Sequence, residues 1–77
     1  MAVGYVLLNV VPGTEHDVYL RLQKMDNVMD VTVLFGDYDV IVKLAADDLG
    51  SIATTVVESI RQISGVLRSK TLAGAEF

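Results

Sequence analysis

The sequence predicts an α+β fold with its elements in the order βαββαβ, and three observations point to it. Four short runs rich in Val, Ile, Leu and aromatic residues have the length of strands. Two segments between them repeat apolar residues at helical spacing. The helices also leave through similar stretches, MDNVMDV after the first and ISGVLRS after the second. Each stretch sets a large apolar residue, two small polar or glycine positions, then Val and a long apolar residue. The chain therefore reads as two related βαβ halves.

The first strand spans Met1 to Val11, and both of its alternating sets are largely apolar: Val3, Tyr5, Leu7 and Val11 against Val6, Leu8 and Val10. That is the pattern of a strand covered on two faces. Pro12-Gly13 ends it. Thr14 is then expected to cap the first helix with its hydroxyl, and Asp17 favours the positive helix end. This helix runs to about Lys24, with Val18, Leu22 and Met25 at i, i+4 and i+7 and Glu15, Arg21 and Lys24 off that stripe. Asp26-Asn27 breaks it. The second strand, Val28 to Phe35, sets Val31, Val33 and Phe35 against Asp30, Thr32 and Leu34. Gly36-Asp37-Tyr38 turns the chain into the third, Asp39 to Leu44, where Val40, Val42 and Leu44 alternate with Asp39, Ile41 and Lys43, so the two strands form an antiparallel hairpin. Asp47 or Asp48 caps a second helix of about four turns, along which Leu49, Ile52, Ala53, Val56, Ile60 and Ile63 keep helical spacing. Gly65 closes it, Val66 to Leu72 forms the fourth strand, and Ala73 to Phe77 is a short tail. Right-handed crossovers place both helices on one face of a four-stranded antiparallel sheet, the ferredoxin-like arrangement, and leave the other face bare.

The totals bound what such a domain can do. The 77 residues make a single domain, 1–77, that buries only about 60% of its unfolded surface. Yet 52% of the chain is hydrophobic, more than one small core hides, and no run approaches the roughly 20 apolar residues of a membrane span. The excess and the bare sheet face together predict a sheet-to-sheet homodimer. Ten acidic against six basic residues give a net charge of -4, which argues against binding a phosphate backbone. There is no cysteine and no basic stretch of a signal peptide at the N-terminus, so a cytoplasmic protein is expected.

No enzyme signature is visible, and neither a cofactor nor a metal is expected. His16 is the single histidine, and no pattern for a serine nucleophile, a zinc helix or a nucleotide loop appears. A small enzyme on a dimeric ferredoxin-like barrel is the alternative, with only Asp30 or His16 as nominal acid or base. Asp37 and Asp39 flank Tyr38, but two carboxylates fall short of the roughly six oxygens a calcium ion takes. Turn chemistry explains them more simply, since Gly36 permits positive φ and Asp bonds nearby amides. Tyr38 is different, because a turn needs no aromatic ring; it marks either an interface or ordinary packing.

The stretch Val31 to Asp39, VTVLFGDYD, followed by Val40 to Leu44, Asp47-Asp48-Leu49 and Gly65-Val66-Leu67-Arg68-Ser69-Lys70-Thr71, resembles the effector-binding RAM module of the Lrp/AsnC (leucine-responsive, feast/famine) regulators. The resemblance spans nearly the whole chain. Family members usually carry a helix-turn-helix domain before this module, whereas this sequence begins at the first strand, so a stand-alone module without direct nucleic-acid binding is expected. The resemblance implies a sheet-to-sheet dimer, assembly of dimers into a ring, most often an octamer, and an amino-acid effector held between dimers. Carried over by residue, the ligand-binding candidates are Gly36, Asp37, Tyr38 and Asp39 of the hairpin with Ser69 and Thr71 of the last strand. Such a module is a non-catalytic sensor that can modulate a full-length Lrp/AsnC regulator by co-assembly. The remaining alternative is an assembly module that binds no ligand.

Overall fold

The computed structural model describes residues 1–75; the end of the expected tail, Glu76 and Phe77, lies outside the described residues. The elements are β1 (Ala2–Val10), α1 (Glu15–Gln23), β2 (Val28–Val33), β3 (Val40–Ala46), α2 (Leu49–Thr55) with a π-helical continuation over Val56–Ile60, and β4 (Val66–Ala73). One four-stranded sheet has the order β2-β3-β1-β4, and every neighbouring pair is antiparallel. The architecture is the expected ferredoxin-like α+β sandwich.

The core lies between one sheet face and the helices. Val6, Leu8 and Val10 of β1, Val31 of β2 and Val40, Val42 and Leu44 of β3 form one buried cluster with Val18, Leu22, Ile52, Val56, Ile60 and Ile63. Among the described residues no element lies over the opposite face. Directly paired residues share a face, so the register lays Asp30, Lys43, Tyr5 and Leu72 in one row across it and Thr32, Ile41, Leu7 and Lys70 in the next. Val3, Leu7 and Ile41 are half-buried there, and Tyr5 and Leu72 are exposed.

The similarity of the two helix exits is realised in the backbone. Met25 N donates to Leu22 O and Val28 N to Met25 O; at the matching positions Ile63 N donates to Ile60 O and Val66 N to Ile63 O. The residue before each following strand also accepts across the sheet, Asn27 O from Ala45 N of β3 and Gly65 O from Val11 N just past β1. The second exit needs glycine, because Gly65 sits at φ +101.

Three expectations are corrected, and of the two caps expected for α2 one is found. Thr14 does not cap α1: its Oγ1 donates to Val11 O at 2.6 Å, and Glu15 Oε1 instead accepts from Gly13 N at 2.9 Å. The hydroxyl prefers the nearer carbonyl of the turn it sits in. At α2 it is Asp48 that caps, accepting from Ser51 N at 2.7 Å. The second strand stops at Val33, two residues early, because Leu34 N already closes the loop onto Asp39 O; Phe35 is left fully exposed rather than beside Val31. The second helix is not one regular α-helix, and Leu49 and Ala53 of its supposed apolar stripe are exposed.

Candidate functional site

The loop between β2 and β3 is fastened to the end of β1. Asp39 N donates to Leu8 O at 2.8 Å, Asp39 Oδ2 accepts from Val10 N at 2.8 Å, and Asn9 Nδ2 donates to Asp37 O at 2.8 Å. The Asp39 carboxylate satisfies an amide that the sheet leaves free, for the pairing of β1 with β3 ends at Leu8 and Val40. Gly36, at φ +136, supplies the turn that brings the loop back. These bonds carry the loop over β1 toward the edge strand β4.

Where loop and edge strand face each other they leave a recess of about 250 Å³ lined by Asn9, Asp37, Tyr38, Arg68, Ser69 and Lys70. Three candidates from the sequence, Asp37, Tyr38 and Ser69, therefore line one space. Tyr38 is half-buried, not a ring standing in solvent; the exposed aromatic of this loop is Phe35. Gly36 shapes the turn beside the recess, and Asp39 is engaged with Val10. Thr71 lies two residues farther along β4, opposite Val6 and outside the lining.

Sequence reading missed Asn9, Arg68 and Lys70. Arg68 and Lys70 alternate with Ser69 along an edge strand, and their pairing with Asn9 and Leu7 sets them on the uncovered sheet face. Their positions were legible as strand alternation; the loop folding over them was not. The recess thus combines two cations, one free carboxylate, an amide, a hydroxyl and a phenol, a set able to hold a small polar molecule by its charged ends.

The two nominal candidates for an acid or base, His16 and Asp30, are both exposed. His16 is exposed on α1, its ring stacked on Tyr19 with centroids 6.4 Å apart, while Asp30 stands opposite Lys43 on the uncovered sheet face. Among the described residues no three His, Cys, Asp or Glu side chains are grouped to hold a metal ion. No described helix is long and apolar enough to cross a membrane.

A βαββαβ sandwich with a polar recess between a fastened hairpin loop and an edge strand is the build of a small ligand-binding domain. Comparison with known proteins gives the family. The model of the Lrp/AsnC ligand-binding domain matches residues 4–73, and the chain belongs to that family. Domains of this family are regulatory and generally non-catalytic. Among solved structures, FFRP-DM1 is similar at 28% identity and a TM-score of 0.93, over 97% of this chain and 100% of that one. The hypothetical protein PHS023 from Pyrococcus horikoshii is 27% identical with a TM-score of 0.92, over 100% of this chain and 93% of its own. AsnC of E. coli shares the fold at a TM-score of 0.90 and 13% identity, with 99% of this chain covering 52% of that one. No curated protein matches the chain at a significant level.

Proposed function

We propose that this domain is a non-catalytic amino-acid sensor that works as an oligomer. The observation that carries this reading is the convergence of Asp37, Tyr38 and Ser69 on one recess in a chain of the Lrp/AsnC ligand-binding family. A free amino acid needs an acceptor for its ammonium and donors for its carboxylate. Asp37 serves the first and Ser69, with its strand neighbours, the second; Tyr38 forms the wall. Gly36 and Asp39 hold the loop in place, and Thr71 meets the ligand only where a neighbouring dimer completes the site.

In this reading the uncovered sheet faces pair two copies, dimers join through the Tyr38 loop into a ring, most simply an octamer, and the ligand sits between dimers. The domain acts in the cytoplasm, responds to its amino acid by changing assembly, and can pass that change to a full-length regulator of the same family. The regulator NMB0573 from Neisseria meningitidis, whose structure is that of an L-Met complex, shares the fold at 12% identity, a TM-score of 0.85 and 97% coverage of this chain against 50% of its own.

The test is a thermal-shift panel of the twenty amino acids on the assembled protein. A ligand at about 100 times its Kd adds roughly 2.7 kcal/mol of stability. One or a few amino acids are expected to raise the Tm, and no shift for any of them at millimolar concentration overturns sensing. Tyr38→Ala separates sensing from a purely structural role: intact rings with weakened binding favour the sensor, and lost rings with no ligand at all favour the assembly module.

A further inference from the structure

We infer that the recess selects an amino acid carrying a second carboxylate, aspartate or glutamate, and that Arg68 and Lys70 are the residues that make the selection. The inference rests on the sensor reading above and goes further by naming the ligand class. It follows from the charges lining the recess. A neutral amino acid presents one ammonium and one carboxylate, and the Asp37 carboxylate with one cation answers both. Arg68 and Lys70 together supply one positive charge more than such a ligand balances. Asp39 is not among the lining residues, its Oδ2 being turned back to Val10 N, and Asn9, which is, carries a neutral amide whose Nδ2 is committed to Asp37 O.

The chain carries a net charge of -4, so its mean field repels an anionic ligand, and the Arg68 and Lys70 side chains of this recess supply the local attraction that would offset it. They are consecutive outward positions of β4, so both reach the same side of the strand, beside Asn9 and Leu7. Arg presents a planar fork suited to a carboxylate and Lys a compact charge, and the pair is built for two carboxylates. The volume, about 250 Å³, lies below the roughly 300 Å³ at which drug-sized sites begin and suits a single amino acid.

The experiment is isothermal titration of the full chain with glutamate, aspartate and their uncharged isosteres glutamine and asparagine, at low and at physiological salt. At least one acid is expected to bind ten times or more tightly than its amide, with the preference narrowing as salt rises. In Arg68→Gln and in Lys70→Gln that ratio is expected to fall toward one. Both residues are exposed on an edge strand, and circular dichroism checks that the variants fold. Amides that bind as well as the acids, or a preference that survives in both variants, overturn the selection and leave the sensor standing. Absence of binding by all four ligands while another amino acid raises the Tm overturns the selection alone; absence of binding by every amino acid overturns both.

Discussion

Two aspartates two positions apart in the loop do different work, and substitution separates them. Asp39 is half-buried and its carboxylate is the partner of Val10 N, so Asp39→Ala strands an amide beside the core. Leaving such a group unsatisfied costs roughly 1–3 kcal/mol, a loss that urea unfolding would read directly. Asp37 is exposed, and its loop bond to Asn9 runs through the backbone carbonyl, which any residue supplies. Asp37→Ala is expected to stay within about 0.5 kcal/mol of the parent in the same assay while abolishing the ligand-induced rise in Tm. Sequence alone marked both as turn residues, and nothing in the letters D-Y-D says which carboxylate turns back to β1. Asp48 offers a third case, read through pH. The Ser51 amide, helped by the Ser51 hydroxyl, holds its carboxyl below the ordinary value of 3.8. A carboxyl depressed in the folded state stabilises above its unfolded value, and that contribution disappears as pH falls through the lower folded one. The advantage in Tm of the parent over Asp48→Ala is therefore expected to shrink in acid below 3.8, whereas that of Asp48→Asn, which caps without titrating, persists.

At the scale of elements, what was legible was whatever repeats. Strand alternation and helical spacing gave all the strands and both helices, and the common exit sequence anticipated the paired hydrogen bonds at Met25 and Ile63. The π-helical turn was not legible, because Val56, Ile60 and Ile63 keep the i, i+4, i+7 spacing of a regular helix and all three are buried. It shows only in the backbone, where Arg61 N donates to Val56 O at 2.9 Å. Thr55 also spends its hydroxyl locally, donating to Ser51 O and accepting from Asn27 Nδ2, which ties the helix to the first exit. The site was half legible for a similar reason: the loop announced itself by composition, but Arg68 and Lys70 belong to a strand some thirty positions away whose register no local pattern states. The second exit supplies the element-scale prediction. A Cβ on Gly65 would lie 2.9 Å from Thr14 Oγ1 and 3.1 Å from Thr14 Cβ, besides forcing φ +101 on an alanine. The backbone strain alone is of order 1–3 kcal/mol. Gly65→Ala is expected to cost more than that in chemical denaturation, and Thr14→Ala with Gly65→Ala to be less destabilised than the sum of the two, since Oγ1 and Cγ2 are then gone.

At the scale of the whole molecule, the sheet is finished on one side only. Val3, Leu7 and Ile41 with Tyr5 and Leu72 form an apolar patch, with Lys43 of β3 beside Tyr5, Asp30 and Thr32 at the β2 edge and Arg68 and Lys70 at the β4 edge. A domain of 77 residues gains little from its own core, and pairing these faces would bury the apolar side chains its composition leaves over. Stability should then depend on concentration, with Tm rising as protein is added, because pairing adds to the stability of each folded copy. Leu7→Glu tests the face at its centre. Leu7 is half-buried and points away from the helix-side core, so a carboxylate there disturbs the monomer little but would be stranded inside a dimer, where an unpaired buried charge is strongly unfavourable. Light scattering is expected to give a species near 8.3 kDa for this variant, with a helical and strand signal retained in circular dichroism. Tyr38→Ala, in the hairpin loop and outside the apolar patch, is expected to leave the dimer whole and act only on the larger ring. The two variants thus take the assembly apart at different joints. A Leu7→Glu protein that stays dimeric with an unchanged Tm would mean that the copies meet elsewhere.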